Sequence, residues 1–216
     1  MSRNKISMMV GIGAVVSILG TGGCSSAGDA APGEQSSSDD SEAALITADQ
    51  STACANDILK ARNASAKYRD VTKATADGFV QVSPCISDPT GVTPGSVGKF
   101  GTVGIHYFNQ ARVSPVADAA NPDILVYVPD SDGSLKLVAT EYVIPIIQDG
   151  AVYTDASTPP THPQPVPSLF GQKLLGPVAP HFPGGPWHYE VHAWVWSFNP
   201  NGLTAPSSPK VSCTPQ

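Results

Sequence analysis

No apolar run in this chain reaches the roughly 20 residues that a bilayer-spanning helix needs. The N-terminal one, Ile6 to Leu19, stops short of it. Positive charge is also scarce. Arg3 and Lys5 are the only basic residues before Lys60, and from Ser51 onward 10 basic residues face 12 acidic ones. With no basic patch, the composition argues against nucleic acid as a partner. The sequence has no Gly-x-Ser-x-Gly turn, no phosphate-cradling loop and no dinucleotide fingerprint, so serine-hydrolase and nucleotide chemistries lack their residues. No internal repeat is present. Cysteine is sparse, with four among 216 residues.

The N-terminus carries what the rest lacks. A basic start, a short apolar run and small residues predict a secretory signal over residues 1–23. Thr21-Gly22-Gly23-Cys24 resembles the lipobox of bacterial lipoproteins, with Thr21 in a slot where that pattern usually has leucine. The resemblance implies export, lipidation of Cys24 and attachment to the membrane of the cell envelope through that anchor. Residues 24–50 are rich in Ser, Ala, Gly and acidic side chains and poor in large apolar ones. Such a segment is expected to be a disordered acidic tether. Residues 51–216 then form a single domain.

Export favours disulfides. Of Cys54, Cys85 and Cys213, two can pair and one is left spare. Cys85–Cys213 is the expected bridge, pinning the C-terminal arm to the domain body, and Cys54–Cys85 is the alternative.

The domain reads as α+β. Residues 51–79 are helical in character, with Asp70 as the N-cap of a short second helix, Gly78 as its stop and Phe79 folding back onto it. Strands are expected over Thr102–Phe108, Ile124–Val128, Leu135–Ile144 and Trp187–Phe198, the middle two joined as a hairpin through Pro129-Asp130-Ser131-Asp132-Gly133-Ser134. The N-terminal helices would pack on an antiparallel sheet, and the long Pro/Gly-rich stretch 158–186 would cover it.

Alternation along the strands singles out polar groups that point inward. Glu141 shares its parity with Leu135, Leu137, Ala139 and Val143, the more apolar set. His188, Glu190 and His192 share a face with Trp194, Trp196 and Phe198. His106 lies beside Gly104, which leaves room next to the imidazole. If these strands are neighbours, His106, Glu141 and His192 could bind a divalent transition metal, with Glu190 and His188 behind them. The same groups suit acid–base catalysis, with Glu141 as base. They could also simply satisfy one another.

The segments Gly104-Ile105-His106-Tyr107-Phe108-Asn109, Ile124 to Asp130, Glu141-Tyr142-Val143 and His192-Ala193-Trp194-Val195-Trp196 resemble a group of exported bacterial proteins with no established activity. The resemblance spans most of residues 68–213 and implies export, not a function.

Two motifs fail on geometry. His188 and His192 have the spacing of a zincin helix, but Tyr189 stands where the glutamate belongs, and on a strand the two lie about 13 Å apart. Asp130-Ser131-Asp132-Gly133 has the acidic residues of a calcium loop, but Leu135 stands at its glycine position. The sequence thus leaves three readings: a protein binding a metal or small ligand, an enzyme using the same cluster, and an interaction module with no site.

Overall fold

A computed structural model describes residues 39–88 and 101–215, with side chains from Ser51. The signal and Cys24 lie outside the described residues. Helix α1 (Asp39–Ser65) runs into a 3-10 turn (Ala66–Arg69) and helix α2 (Val71–Ala76). The strands follow as β1 (Val80–Gln81), β2 (Ile86–Asp88), β3 (Gly101–Phe108), β4 (Ile124–Pro129), β5 (Leu135–Pro145), β6 (Ile147–Gln148), β7 (Ala151–Val152), β8 (Ser168–Leu169), β9 (Gln172–Lys173), β10 (Leu175–Val178) and β11 (His188–Ala193). An antiparallel seven-stranded sheet has the order β1-β3-β4-β5-β11-β10, with β2 also paired to β3. The fold is α+β. No described helix is long and apolar enough to cross a membrane.

The tether is shorter than expected, because α1 begins at Asp39. Glu42, Ala43, Ala44 and Leu45 are strong helix formers, and that local preference outweighs the polar composition. Helix α2 follows its sequence signals. The Asp70 carboxylate accepts from the Thr72 amide, and the Phe79 amide returns to Ala74 O at 3.0 Å. Phe79 is thereby buried against Tyr68.

The helices cover one face of the sheet. Tyr68, Ala74 and Phe79 pack on Ile105, Tyr107, Leu125, Tyr127 and Leu137. Cys54 and Ala61 pack on Tyr142, Tyr189 and Val191. Two buried tyrosines tie the sheet to its cover, Tyr127 Oη donating to Tyr68 O of the 3-10 turn at 2.6 Å and Tyr142 Oη to Ala119 O of the β3–β4 connection at 2.8 Å. The helix-covered core is therefore the face with Thr140, Tyr142 and Ile144, not the face of Glu141 that alternation gave as the more apolar. A register shift explains the misreading. Tyr127 pairs with Leu137 but Val126 pairs with Ala139, so Val138 is an extra residue in β5. Such a bulge reverses parity along a strand, and Leu137 and Ala139 join different clusters.

The last strand is also shorter than its β-rich sequence. β11 ends at Ala193, and β5, with 11 residues, is the longest strand. Beyond Ala193 the chain bends, and two tryptophans expected on one face separate. Trp194 stays with Ile124, Val126 and Ala139, whereas Trp196 crosses to the helices, where Nε1 donates to Ser65 Oγ and Arg62 lies over the ring. Phe198 is exposed.

The stretch 158–186 is not a simple cover. It supplies the β8–β9 hairpin and the edge strand β10. Its Leu169, Phe170 and Leu174 are buried in the helix-side core.

Cys85 and Cys213 form a disulfide across 128 positions of sequence. Cys54 is not a spare thiol. It is buried and disulfide-bonded as well.

Gly104 does not leave space beside His106. A Cβ there would lie 2.5 Å from Val126 Cγ1 and 3.0 Å from Tyr127 O, at φ +113°. Strand β4 fills the room. Gly104→Ala is expected to cost about 2–5 kcal/mol, from backbone strain and overpacking together. A urea titration checks it, and a loss below 1 kcal/mol, the scale of an ordinary surface change, would mean that the strand yields freely.

Candidate metal centre

The sheet face away from the helices carries the three residues singled out by strand alternation. Register puts Glu141 of β5 directly opposite both Ile124 of β4 and His192 of β11. His106 of β3 is opposite Val126. From β3 to β11 is three inter-strand steps, about 14 Å on a flat sheet. The bulge at Val138 adds local bend and twist to β5, a strand between them.

The two imidazoles meet. His106 Nε2 lies 3.4 Å from His192 Nε2 and 3.4 Å from Glu141 Oε2, and His192 Nε2 lies 3.5 Å from the same oxygen. The side chains are 12%, 10% and 5% exposed for His106, His192 and Glu141 respectively. Glu141 Oε2 is buried and accepts no hydrogen bond. Beside the cluster, Trp194 packs with Ile124, Val126 and Ala139 in an apolar patch, and its Nε1 donates to Ala205 O at 2.6 Å.

The electrostatics disfavour charge on every member. Burial, with repulsion from His192 second, pushes His106 down to about 3. Burial takes His192 down to about 4. Burial raises Glu141 well above the usual carboxylate range, and Glu190 and Asp123 raise it further. At neutral pH both imidazoles are therefore neutral, with nitrogen lone pairs available beside a carboxyl group in a dry setting. A cation placed between the three would stabilise the carboxylate and use those lone pairs.

Two supporting residues escape sequence reasoning. Ser83, in the loop after β1, accepts from the His106 amide at 3.0 Å and lies 3.0 Å from His106 Nδ1, fixing the ring. No local pattern marks it. Asp123, just before β4, is buried and accepts from the Val143 amide with both oxygens at 3.1 Å. An acid at the head of an apolar run was its only signal.

Burial lifts Asp123 to about 7, against the opposing pull of the Val143 amide. Its folded pKa then exceeds the unfolded value of about 3.9, so the folded state holds the extra proton in between and loses stability as pH rises from about 4 to about 7. The two depressed histidines act in the opposite sense over part of that window. Asp123→Asn should therefore gain stability relative to the parent as pH climbs from 4 to 7, a difference readable by paired urea titrations of metal-free protein. A pH-independent difference would place the Asp123 pKa near its ordinary value.

Glu190 and His188, expected behind the cluster, turn to each other instead. His188 Nε2 lies 3.2 Å from Glu190 Oε2, and His181 Nε2 lies 3.9 Å from the same oxygen. Along one face of β11 the chain thus carries two groups of two histidines and one glutamate.

No known family, curated protein or solved structure matches this chain. The functional reading rests on the geometry.

Proposed function

We propose that this chain is an exported protein that binds a divalent transition-metal ion of the zinc type through His106 Nε2, His192 Nε2 and Glu141 Oε2. One observation carries the reading. The three atoms form a nearly equilateral triangle with edges of 3.4, 3.4 and 3.5 Å. Ligands in a tetrahedral shell with bonds near 2.1 Å stand about 3.4 Å apart, whereas an octahedral shell brings neighbours to about 3.0 Å. The orphaned Glu141 oxygen supports it, since an ion would give that oxygen a partner.

The donor set also favours a working ion over a structural one. Structural zinc sites are closed by four protein ligands, while two histidines and a glutamate leave a position for water or substrate. An ion held this way supplies a Lewis acid and a water of lowered pKa. In that role this chain's residues orient the site: Ser83 fixes the His106 ring, and the apolar patch around Trp194 keeps the dielectric low. A catalytic role for the cluster is therefore the second reading.

The test is metal analysis and zinc titration of tag-free protein. One ion bound tightly, and lost in Glu141→Gln, is the expected result. A parent that takes up no ion would overturn the proposal.

Export is supported by the oxidised Cys85–Cys213 pair, a state that persists in oxidising compartments. Lipid attachment at Cys24 would hold the domain at the envelope membrane. The expected result is detergent-phase partitioning of the mature protein, shifted to the aqueous phase by Cys24→Ala. Aqueous partitioning of the parent would refute the anchor.

A further inference from the structure

The second group on β11 has a polarity that a neutral histidine does not explain. His188 Nδ1 lies 3.1 Å from Pro186 O. A carbonyl only accepts, so Nδ1 carries the hydrogen. In a neutral ring Nε2 then presents a lone pair, and it faces Glu190 Oε2 at 3.2 Å. Two acceptors oppose each other unless a positive charge lies between them or on the ring. A backbone carbonyl that fixes the outer nitrogen of an imidazole is also the usual arrangement behind a metal-bound histidine. His181 completes the set. It follows β10 by three residues and is brought back over His188, the rings meeting edge to face at 4.8 Å.

The solvent-reached member of this group is His181, in the segment after β10. His181 is 62% exposed, Glu190 16% and His188 4%. Glu190 stands between His188 and His192, each about 6.6 Å away along the strand. Glu190 is thus the ligand side chain that stands between the exposed outer group and the buried triangle.

We propose that His181, His188 and Glu190 form a second, solvent-reached site for a divalent transition-metal ion, and that ions enter the buried site through it. The imidazole and carboxylate donors suit zinc, copper, nickel or cobalt. The 3.9 Å spacing and the exposed His181 make this the weaker, exchanging site. The entry role rests on the proposal made for the buried triangle; the second site does not.

Zinc is the probe, applied to tag-free full chain at equilibrium and in stopped flow with a zinc-responsive dye. The parent should bind two ions, one tighter than the other. His181→Ala, at an exposed position that cannot hold up the fold, and Glu190→Gln should each remove the weaker ion. His181→Ala should leave the tighter affinity unchanged, and each should slow its filling by about tenfold, the low end of what charged funnels contribute to association. Glu141→Gln should remove only the tighter ion. A parent binding a single ion, or both variants still binding two, would overturn the second site, leaving a protonated His188 paired with Glu190. Filling at the parental rate in both variants would overturn the entry role. Loss of no ion in Glu141→Gln would instead sink the buried site and leave the outer one standing.

Discussion

Glu141→Gln should shift the metal-free and zinc-loaded proteins in opposite directions. Without metal, the carboxyl group is buried against two neutral imidazoles with an oxygen that accepts no hydrogen bond. An amide of the same shape carries no charge and can donate to one imidazole nitrogen. The metal-free protein should gain about 1–3 kcal/mol, the cost of an unsatisfied buried polar group. With zinc present the effect reverses. The variant loses the one anionic ligand, and affinity should fall by at least about 100-fold, the upper range for residues that only support a ligand. The parent should gain about 2.7 kcal/mol at zinc one hundred times its dissociation constant, and the variant almost none at the same concentration. Urea titrations with and without zinc check both halves. A gain in the metal-free state with no zinc effect in either protein would mean that the cluster merely packs.

Removing the Cys85–Cys213 bridge should produce the largest loss of stability. The bridge closes a loop across 128 positions, for which the chain-entropy relation gives about 4–5 kcal/mol. Domains of this size are stable by only about 5–15 kcal/mol, so about a quarter or more of the total is at stake. The consequence reaches the candidate centre. The arm held by Cys213 pairs Ser208 with Thr102 on β3, the strand that carries His106. Val211 of the same arm packs against the cluster around Trp194. The Cys85→Ser/Cys213→Ser double variant should therefore bind zinc more weakly as well as unfold earlier. A loss under 1 kcal/mol, which is what removing a minor contact gives, would mean that the arm is held by its other contacts.

Much of the fold was legible because local signals agreed with tertiary demands. Asp70, Gly78 and Phe79 fulfil their capping roles, and the Asp130–Ser134 turn joins β4 to β5. The convergence of His106, Glu141 and His192 was legible from alternation alone. What failed did so where alternation is interrupted. The extra residue at Val138 hid which face of β5 is the core, and the bend after Ala193 parted Trp194 from Trp196. Gly104 was read as room for a side chain on its own strand, whereas the space belongs to Val126 of the next. Glu190 and His188 were placed behind His192 because they share its face. Parity fixes the face but not the partner, and His181 arrives from a distant loop that no periodicity describes. Ser83 and Asp123 act through contacts that exist only after the sheet has formed.

X-ray absorption at the zinc edge of zinc-loaded protein carrying His181→Ala, which leaves only the buried site, bears most directly on the central claim. A four-coordinate ion with two imidazole nitrogens and carboxylate oxygen near 2.0–2.1 Å is the expected shell, and one imidazole should vanish from it in His106→Gln. A six-coordinate shell of oxygens, or a shell unchanged when His106 is replaced, would contradict it.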